Sequence, residues 1–322
     1  MDLTTIYAPI RPDLDALEDL LRRELVSDDP FIGELVEHVL STRGKLVRPA
    51  LVCLAAQASG GASEARLWIA AAVELIHVAS LIHDDIIDQS TLRRGTATIN
   101  VQWGNQIAVL LGDYLFAKAF DLISRARTTA VASALAYAAV KMSQAEIMQI
   151  KYGQEPHDSE DTYFQIIAGK TAHLFSAACR AGALVADNDR TADLLGAYGL
   201  SWGMAFQIVD DTLDLTSEAA ALGKPIHSDV SGGKITLPVI HVLRSATPAD
   251  RARLTGLLSG PARDGPTNEL DAILREYGGI DYALGVARRF SAQATESLRG
   301  IRDGPARRSL LALTQFVTDR TS

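Results

Sequence analysis

Two strings of aspartates carry the strongest chemical signal in this chain of 322 residues. Asp84-Asp85-x-x-Asp88 closes the run Ser80-Leu81-Ile82-His83, and Asp210-Asp211-x-x-Asp214 repeats the same spacing after Gln207-Ile208-Val209. On a helix the first and last aspartate of each triplet stand one turn apart on one face, with the middle one beside them. Like charges so placed cost a helix about 0.2–0.5 kcal/mol per pair. Their neighbours are apolar (Leu81, Ile82, Ile86 and Ile87 around the first triplet), so neither string is simply a solvated acidic face. One such triplet has an ordinary reading as a surface or capping cluster. Two matched copies in apolar helices call for cations. Hard oxygen donors without His or Cys partners favour Mg²⁺ over Zn²⁺. Because Mg²⁺ takes one or two carboxylates and completes its shell with phosphate oxygens, the paired motifs imply a clamped diphosphate.

An anionic substrate requires basic residues near helix ends and loops, and they are present. Gly44-Lys45-Leu46-Val47-Arg48-Pro49 opens an expected helix, where backbone N–H groups also favour anions. Arg93-Arg94-Gly95 follows the first triplet, and Lys170-Thr171 lies within an apolar helix. Lys224 and Lys234 punctuate a Gly-rich stretch after the second triplet. Each alone reads as a surface charge; their placement around the triplets is what makes them candidates.

The elements that position these groups are helices. Apolar spacing predicts them over about 11–27, 31–41, 45–59, 63–88, 104–124, 128–153, 160–185, 189–216, 235–245, 248–258, 267–276, 280–300 and 303–318. Ser63, Ser159 and Thr247 stand at cap positions, and Pro248 at a first helical position. No sustained alternation of period two requires a strand. Hydrophobic residues make up 48% and aromatics 6%, an Ala- and Leu-rich balance that favours helix. No linker divides the chain, so the expectation is one all-α domain over 1–322, a bundle of ten or more helices around a central cavity. A net charge of −8 argues against nucleic acid. Cys53 and Cys179 read as buried apolar groups of a reducing compartment. The N-terminus lacks a basic start followed by an apolar run, and Glu74 and His77 interrupt the most apolar stretch, 67–82. The expectation is a cytoplasmic protein with no membrane span.

In these motifs the chain resembles the trans-isoprenyl diphosphate synthase family, of the medium- to long-chain type. The matching pieces are GKLVRP (44–49), HVASLIHDDIID (77–88), LRRG (92–95), GDYLFAKAF (112–120), GKTAHLF (169–175), FQIVDDTLD (206–214), GKP (223–225) and GGKITLPVI (232–240). The resemblance implies the isoprenoid-synthase fold, a homodimer, and three Mg²⁺ ions per active site. By that likeness Asp84 and Asp88 ligate two ions and Asp210 the third. Asp85, Asp211 and Asp214 support them directly or through water, with Asp214 a further candidate ligand. Arg93, Lys170, Thr171, Gln207, Lys224 and Lys234 would hold the allylic diphosphate. Lys45, Arg48, His77 and Arg94 would hold isopentenyl diphosphate. Ionisation of the allylic diphosphate, condensation and proton loss would follow, with Lys170 among the catalytic groups. Thr212 and Thr96-Ala97-Thr98 depart mildly from the usual pattern and remove no charged ligand.

Product length is written one turn before Asp84. Small residues, Ala79 and Ser80, stand where bulky aromatics in the family floor the tunnel early. A helix from Glu64 to Asp84 rises about 30 Å, a wall for a long chain, while Ile76, Val73 and Ile69 are deeper candidates for a floor. A hexaprenyl to decaprenyl product of the quinone side-chain kind is expected, with geranylgeranyl or farnesyl diphosphate the runner-up. A His-Asp phosphohydrolase using His83, a class I terpene cyclase, and a non-catalytic subunit that works beside a synthase explain fewer of these residues. A small helper subunit stays open as a partner.

Overall fold

The computed structural model describes residues 2–42, 44–61, 63–153, 158–216, 234–259 and 268–319. Among these the chain is helical nearly throughout. The helices are α1 (Leu3–Ile6), α2 (Arg11–Glu24), α3 (Pro30–Ser41), α4 (Val47–Ala58), α5 (Ala65–Ile87), α6 (Ile99–Trp103), α7 (Asn105–Arg125) and α8 (Thr129–Tyr152). They continue with α9 (Glu160–Ile167), α10 (His173–Leu184), α11 (Asp189–Thr216), α12 (Leu237–Ser245), α13 (Pro248–Ser259), α14 (Asn268–Glu276), α15 (Gly279–Ser297) and α16 (Pro305–Asp319). The all-α expectation holds.

Local chemistry explains the boundaries. Ser159 accepts from the backbone N–H of Thr162, and Thr247 from that of Asp250, so both cap as their positions suggested. Ser63 accepts from Ala65 N, just ahead of α5. Several features depart from the sequence reading, among them the short helices α1 and α6, which lie where none was expected. Leu92–Arg93 and Thr96–Ala97 pair antiparallel as a minimal hairpin, too short to leave an alternating pattern. The helix expected over 160–185 is interrupted at Ala168–Ala172 by a π-turn. The helix expected from residue 45 starts at Val47, because Leu46 takes a left-handed conformation with φ 50°.

The chain forms two compact units. The first comprises residues 1–139, 174–199 and 297–313; the second comprises 140–173, 200–296 and 314–322. In the first unit α5 is the core helix, packed on α7, α4 and α2. Its residues 69–76 are all buried, including Glu74. By length and composition α5 is apolar enough to cross a membrane; the burial of these residues inside the unit makes it a core helix here. Asp13 ties α2 to α5 by accepting from Arg66 at 2.7 Å. In the second unit Leu215, Val239, Leu243, Leu254, Leu270 and Ile273 build a core around α12, α13 and α14. Each unit carries one aspartate triplet.

Candidate active site

In the first unit the triplet closes α5. Asp84 is half-buried, Asp85 buried and Asp88 exposed as the residue after the last helical turn. The hairpin sends Arg93 back onto Asp85: Nη2 donates to Oδ1 at 2.6 Å, and Nε reaches both carboxylate oxygens at 2.9 and 3.0 Å. Burial pushes the Asp85 carboxyl up from its usual range, and the guanidinium opposes that shift. A forked pair of this kind is among the stronger ionic contacts, and it sets the carboxylate's orientation. The basic turn stands nearby in the same unit. Arg94 donates to the carbonyl of Thr42 at 2.6 Å, and its guanidinium lies directly against Gly44. Arg48, at the second position of α4, places its guanidinium 4.4 Å from the Phe175 ring centroid. Lys45 precedes the helix and is exposed; its carbonyl accepts from the buried Tyr7 hydroxyl at 3.3 Å.

His77 sits two turns before Asp84. Burial holds its pKa well below the ordinary value, and the charges of Arg48, Arg94 and Arg93 lower it further. It is a neutral donor at neutral pH, in a field of three guanidiniums that an anion would relieve. Ala79 is fully buried, whereas Ser80 is half-buried and donates its hydroxyl to the His77 carbonyl at 2.8 Å. Spent internally, that hydroxyl leaves a small face. His83 packs its ring against Gly112 of α7, stacks on Phe116 at 6.2 Å and sits 3.2 Å from the carbonyl of Val109. Packing, not hydrolysis, accounts for it.

In the second unit Lys170, Thr171, Gln207, Asp210, Asp211 and Lys234 line one cleft of about 150 Å³, together with Tyr163, Gln149 and Thr236. The π-turn lies under Lys170 and Thr171; such single-turn bulges are frequent at functional sites. Lys170 pairs with Glu146 at 2.6 Å. Asp211, buried, accepts from the Tyr163 hydroxyl at 2.6 Å and from the Gln207 amide at 2.7 Å. Thr171 donates to the other end of that amide at 2.7 Å. Asp210 is half-buried in the cleft and Asp214 fully buried. Lys224 lies outside the described residues.

The donor set suits magnesium. In each triplet the middle carboxylate, Asp85 or Asp211, is engaged by protein donors. Among the described residues no three His, Cys, Asp or Glu side chains form a ready metal cage.

Over residues 29–276 the chain matches the polyprenyl synthetase family. It belongs to that family. It is 33% identical to an octaprenyl diphosphate synthase of Haemophilus influenzae over 99% of this chain and 98% of the relative. It is 38% identical to a short chain isoprenyl diphosphate synthase of Methanothermobacter thermautotrophicus over 92% and 94% of the two. A polyprenyl synthase from Caulobacter crescentus, solved with calcium and isoprenyl diphosphate, superposes with a TM-score of 0.92 at 31% identity, covering 100% of this chain and 98% of that one. As a polyprenyl synthetase the chain is a prenyltransferase with the all-α isoprenoid-synthase fold, and the family's chemistry is magnesium-dependent.

Within this polyprenyl synthetase, sequence reasoning missed the residues that hold the site residues. Glu146 lies 24 positions before Lys170 and Tyr163 lies 48 before Asp211, so no local pattern joins either pair. Tyr163 did carry a faint signal, standing two helical turns before Lys170. Glu74, buried on the turn before His77, is read from the sequence only as a break in an apolar run; in the structure its carboxylate opposes the lowering that burial imposes on Arg94 and adds to the rise that burial imposes on the Tyr7 phenol.

Proposed function

We propose that this protein is an all-trans polyprenyl diphosphate synthase that condenses isopentenyl diphosphate onto an allylic diphosphate, giving a hexaprenyl to decaprenyl product. The observation that carries the reading is the cleft where Lys170, Lys234, Thr171, Gln207 and Asp210 come together: cations and carboxylate in one cavity are what a magnesium–diphosphate needs.

On this reading Asp84 and Asp88 ligate two of three Mg²⁺ ions and Asp210 the third, with Asp214 supporting. Magnesium, when bound, neutralises the leaving diphosphate. Lys170, Lys234 and Lys224 add fixed positive charge where negative charge develops, favouring ionisation of the allylic C–O bond. Arg93 holds Asp85 until the allylic diphosphate competes for it. Lys45, Arg48, Arg94 and neutral His77 fix isopentenyl diphosphate so that its double bond meets the allylic cation; the proton then lost goes to the departing diphosphate. Lys170 gives up Glu146 for the substrate, so its charge is kept ordered beforehand.

For product length, the small and internally satisfied Ser80 supports a tunnel that runs down α5 past His77. Ile76, Val73 and Ile69 stand four, seven and eleven residues before Ser80 on the same face of α5 and are fully buried, so they are the side chains that would line and floor that tunnel. A geranylgeranyl or farnesyl product is the second reading, favoured by the likeness to a short-chain synthase. The chain acts as one synthase domain, a reading supported by end-to-end coverage of its relatives. A homodimer is supported by exposed apolar side chains of α7 and the first turns of α8: Val109, Leu110, Phe120 and Tyr137. A cytoplasmic location goes with this reading.

The deciding experiment incubates the purified chain alone with farnesyl diphosphate, isopentenyl diphosphate and Mg²⁺. Products longer than twenty carbons are expected. An exclusively C20 product would overturn the chain-length reading, and no condensation without an added subunit would show that a helper is required.

A further inference from the structure

We propose that Tyr163 is a positioning residue of the diphosphate cleft: its phenol anchors Asp211, which orients the Gln207 amide and, through it, the Thr171 hydroxyl. The proposal rests on the reading of this cleft as a diphosphate site.

The contacts fix their own direction. An ionised carboxylate only accepts, so both the Tyr163 hydroxyl and the Gln207 nitrogen donate to Asp211, at 2.6 and 2.7 Å. With its NH₂ committed to Asp211, Gln207 turns its carbonyl oxygen to Thr171, 2.7 Å away. Thr171 then spends its single proton on Gln207. Toward the cleft its hydroxyl can only accept. It therefore meets a donor there, such as an ammonium or a magnesium-bound water, and reaches a phosphate oxygen only through one. Four side chains from α9, the π-turn and α11 thus form a relay with a single polarity, set by the Asp211 carboxylate that the phenol holds in place.

Burial makes the Tyr163 end rigid. Tyr163 is 4% exposed and Asp211 7%, so packing leaves either group little room to turn away from the other. Without the phenol, Asp211 loses a short bond to a charged group that holds its plane, and a rotation of the carboxylate pulls Gln207 away from Thr171. That rotation reorganises the cleft although Tyr163 itself touches no reacting atom.

The test compares Tyr163→Phe, Thr171→Val and the double variant. Tyr163→Phe should lower kcat about tenfold, the scale of one hydrogen bond to a charged group, while KM for isopentenyl diphosphate stays within about twofold. It should also weaken binding of inorganic pyrophosphate in the presence of Mg²⁺ by a similar factor. Because both singles cut one relay, the double should lose little more than the worse single. Additive losses, or unchanged kcat and pyrophosphate affinity with only a lowered Tm, would overturn the proposal. Should Tyr163→Phe fail to fold, Gln207→Met cuts the relay at its centre and is read by the same criteria. Weakened pyrophosphate binding in a protein that performs no prenyl transfer would sink the assigned reaction and leave the relay standing; no pyrophosphate binding by the unaltered protein would sink both.

Discussion

Replacing Gly44 by alanine should damage one substrate site and leave the rest of the molecule almost untouched. A Cβ at residue 44 would stand 2.8 Å from Cζ of Arg94 and 3.1 Å from its Nη1, with Nη2 closer still. Comfortable contact needs about 3.5 Å or more, so the guanidinium must withdraw by about 1 Å. In doing so it gives up the bond to the Thr42 carbonyl, now 2.6 Å long. The fold tolerates this, because the displaced group is the end of an exposed side chain and alanine restricts the unfolded chain more than glycine does. Unfolding free energy should therefore change by less than about 1 kcal/mol. Binding is another matter. A hydrogen bond to a charged group contributes about 1.5–3 kcal/mol, and each 1.4 kcal/mol is tenfold in affinity. Steady-state kinetics with each substrate varied in turn should show KM for isopentenyl diphosphate raised about ten- to hundredfold. KM for the allylic substrate should stay within about twofold. An unchanged isopentenyl KM, or equal losses for both substrates, would refute the placement of Arg94 in the second substrate's site.

Ser80→Phe puts a ring on the half-buried face one turn before Asp84 and should shorten the product while leaving turnover measurable; chromatography of the dephosphorylated products decides, and unchanged length would put the floor elsewhere. His77 predicts a stability trend with acid. Its folded pKa lies below the unfolded value of about 6.5, so between the two the unfolded chain binds the extra proton. The stability that His77 contributes is fully present above about pH 6.5 and falls as pH drops toward the folded pKa, by at most about 1.4 kcal/mol per pH unit. Denaturant unfolding across that window should show His77→Gln with a flatter pH dependence than the unaltered protein; identical slopes would mean that His77 is not held neutral.

Most helices were legible because their information is local. Apolar spacing places α5 and α11, and Ser159 and Thr247 mark helix starts through contacts three residues away. The π-turn at Ala168–Ala172 was not legible, since Ala, Gly, Lys and Thr fit an ordinary helix equally well. The break shows only when the backbone closes. The late start of α4 at Val47 likewise depends on Leu46 accepting a left-handed conformation that its residue type does not announce.

By itself the sequence determined which chemistry was available: two aspartate triplets, the cations around them, small residues before Asp84, and the family they share. Those are statements of residue type and spacing, which a one-dimensional string carries in full. Only the tertiary structure decided how the groups are committed. Asp85 is given to Arg93, Lys170 to Glu146, and Asp211 to Tyr163 and Gln207. The physical reason is that a charge in a partly buried site takes whichever partner packing brings within about 3 Å; Gln207 stands one turn before Asp211 at helical spacing, but Glu146 reaches Lys170 and Tyr163 reaches Asp211 from other helices, at separations no periodicity encodes.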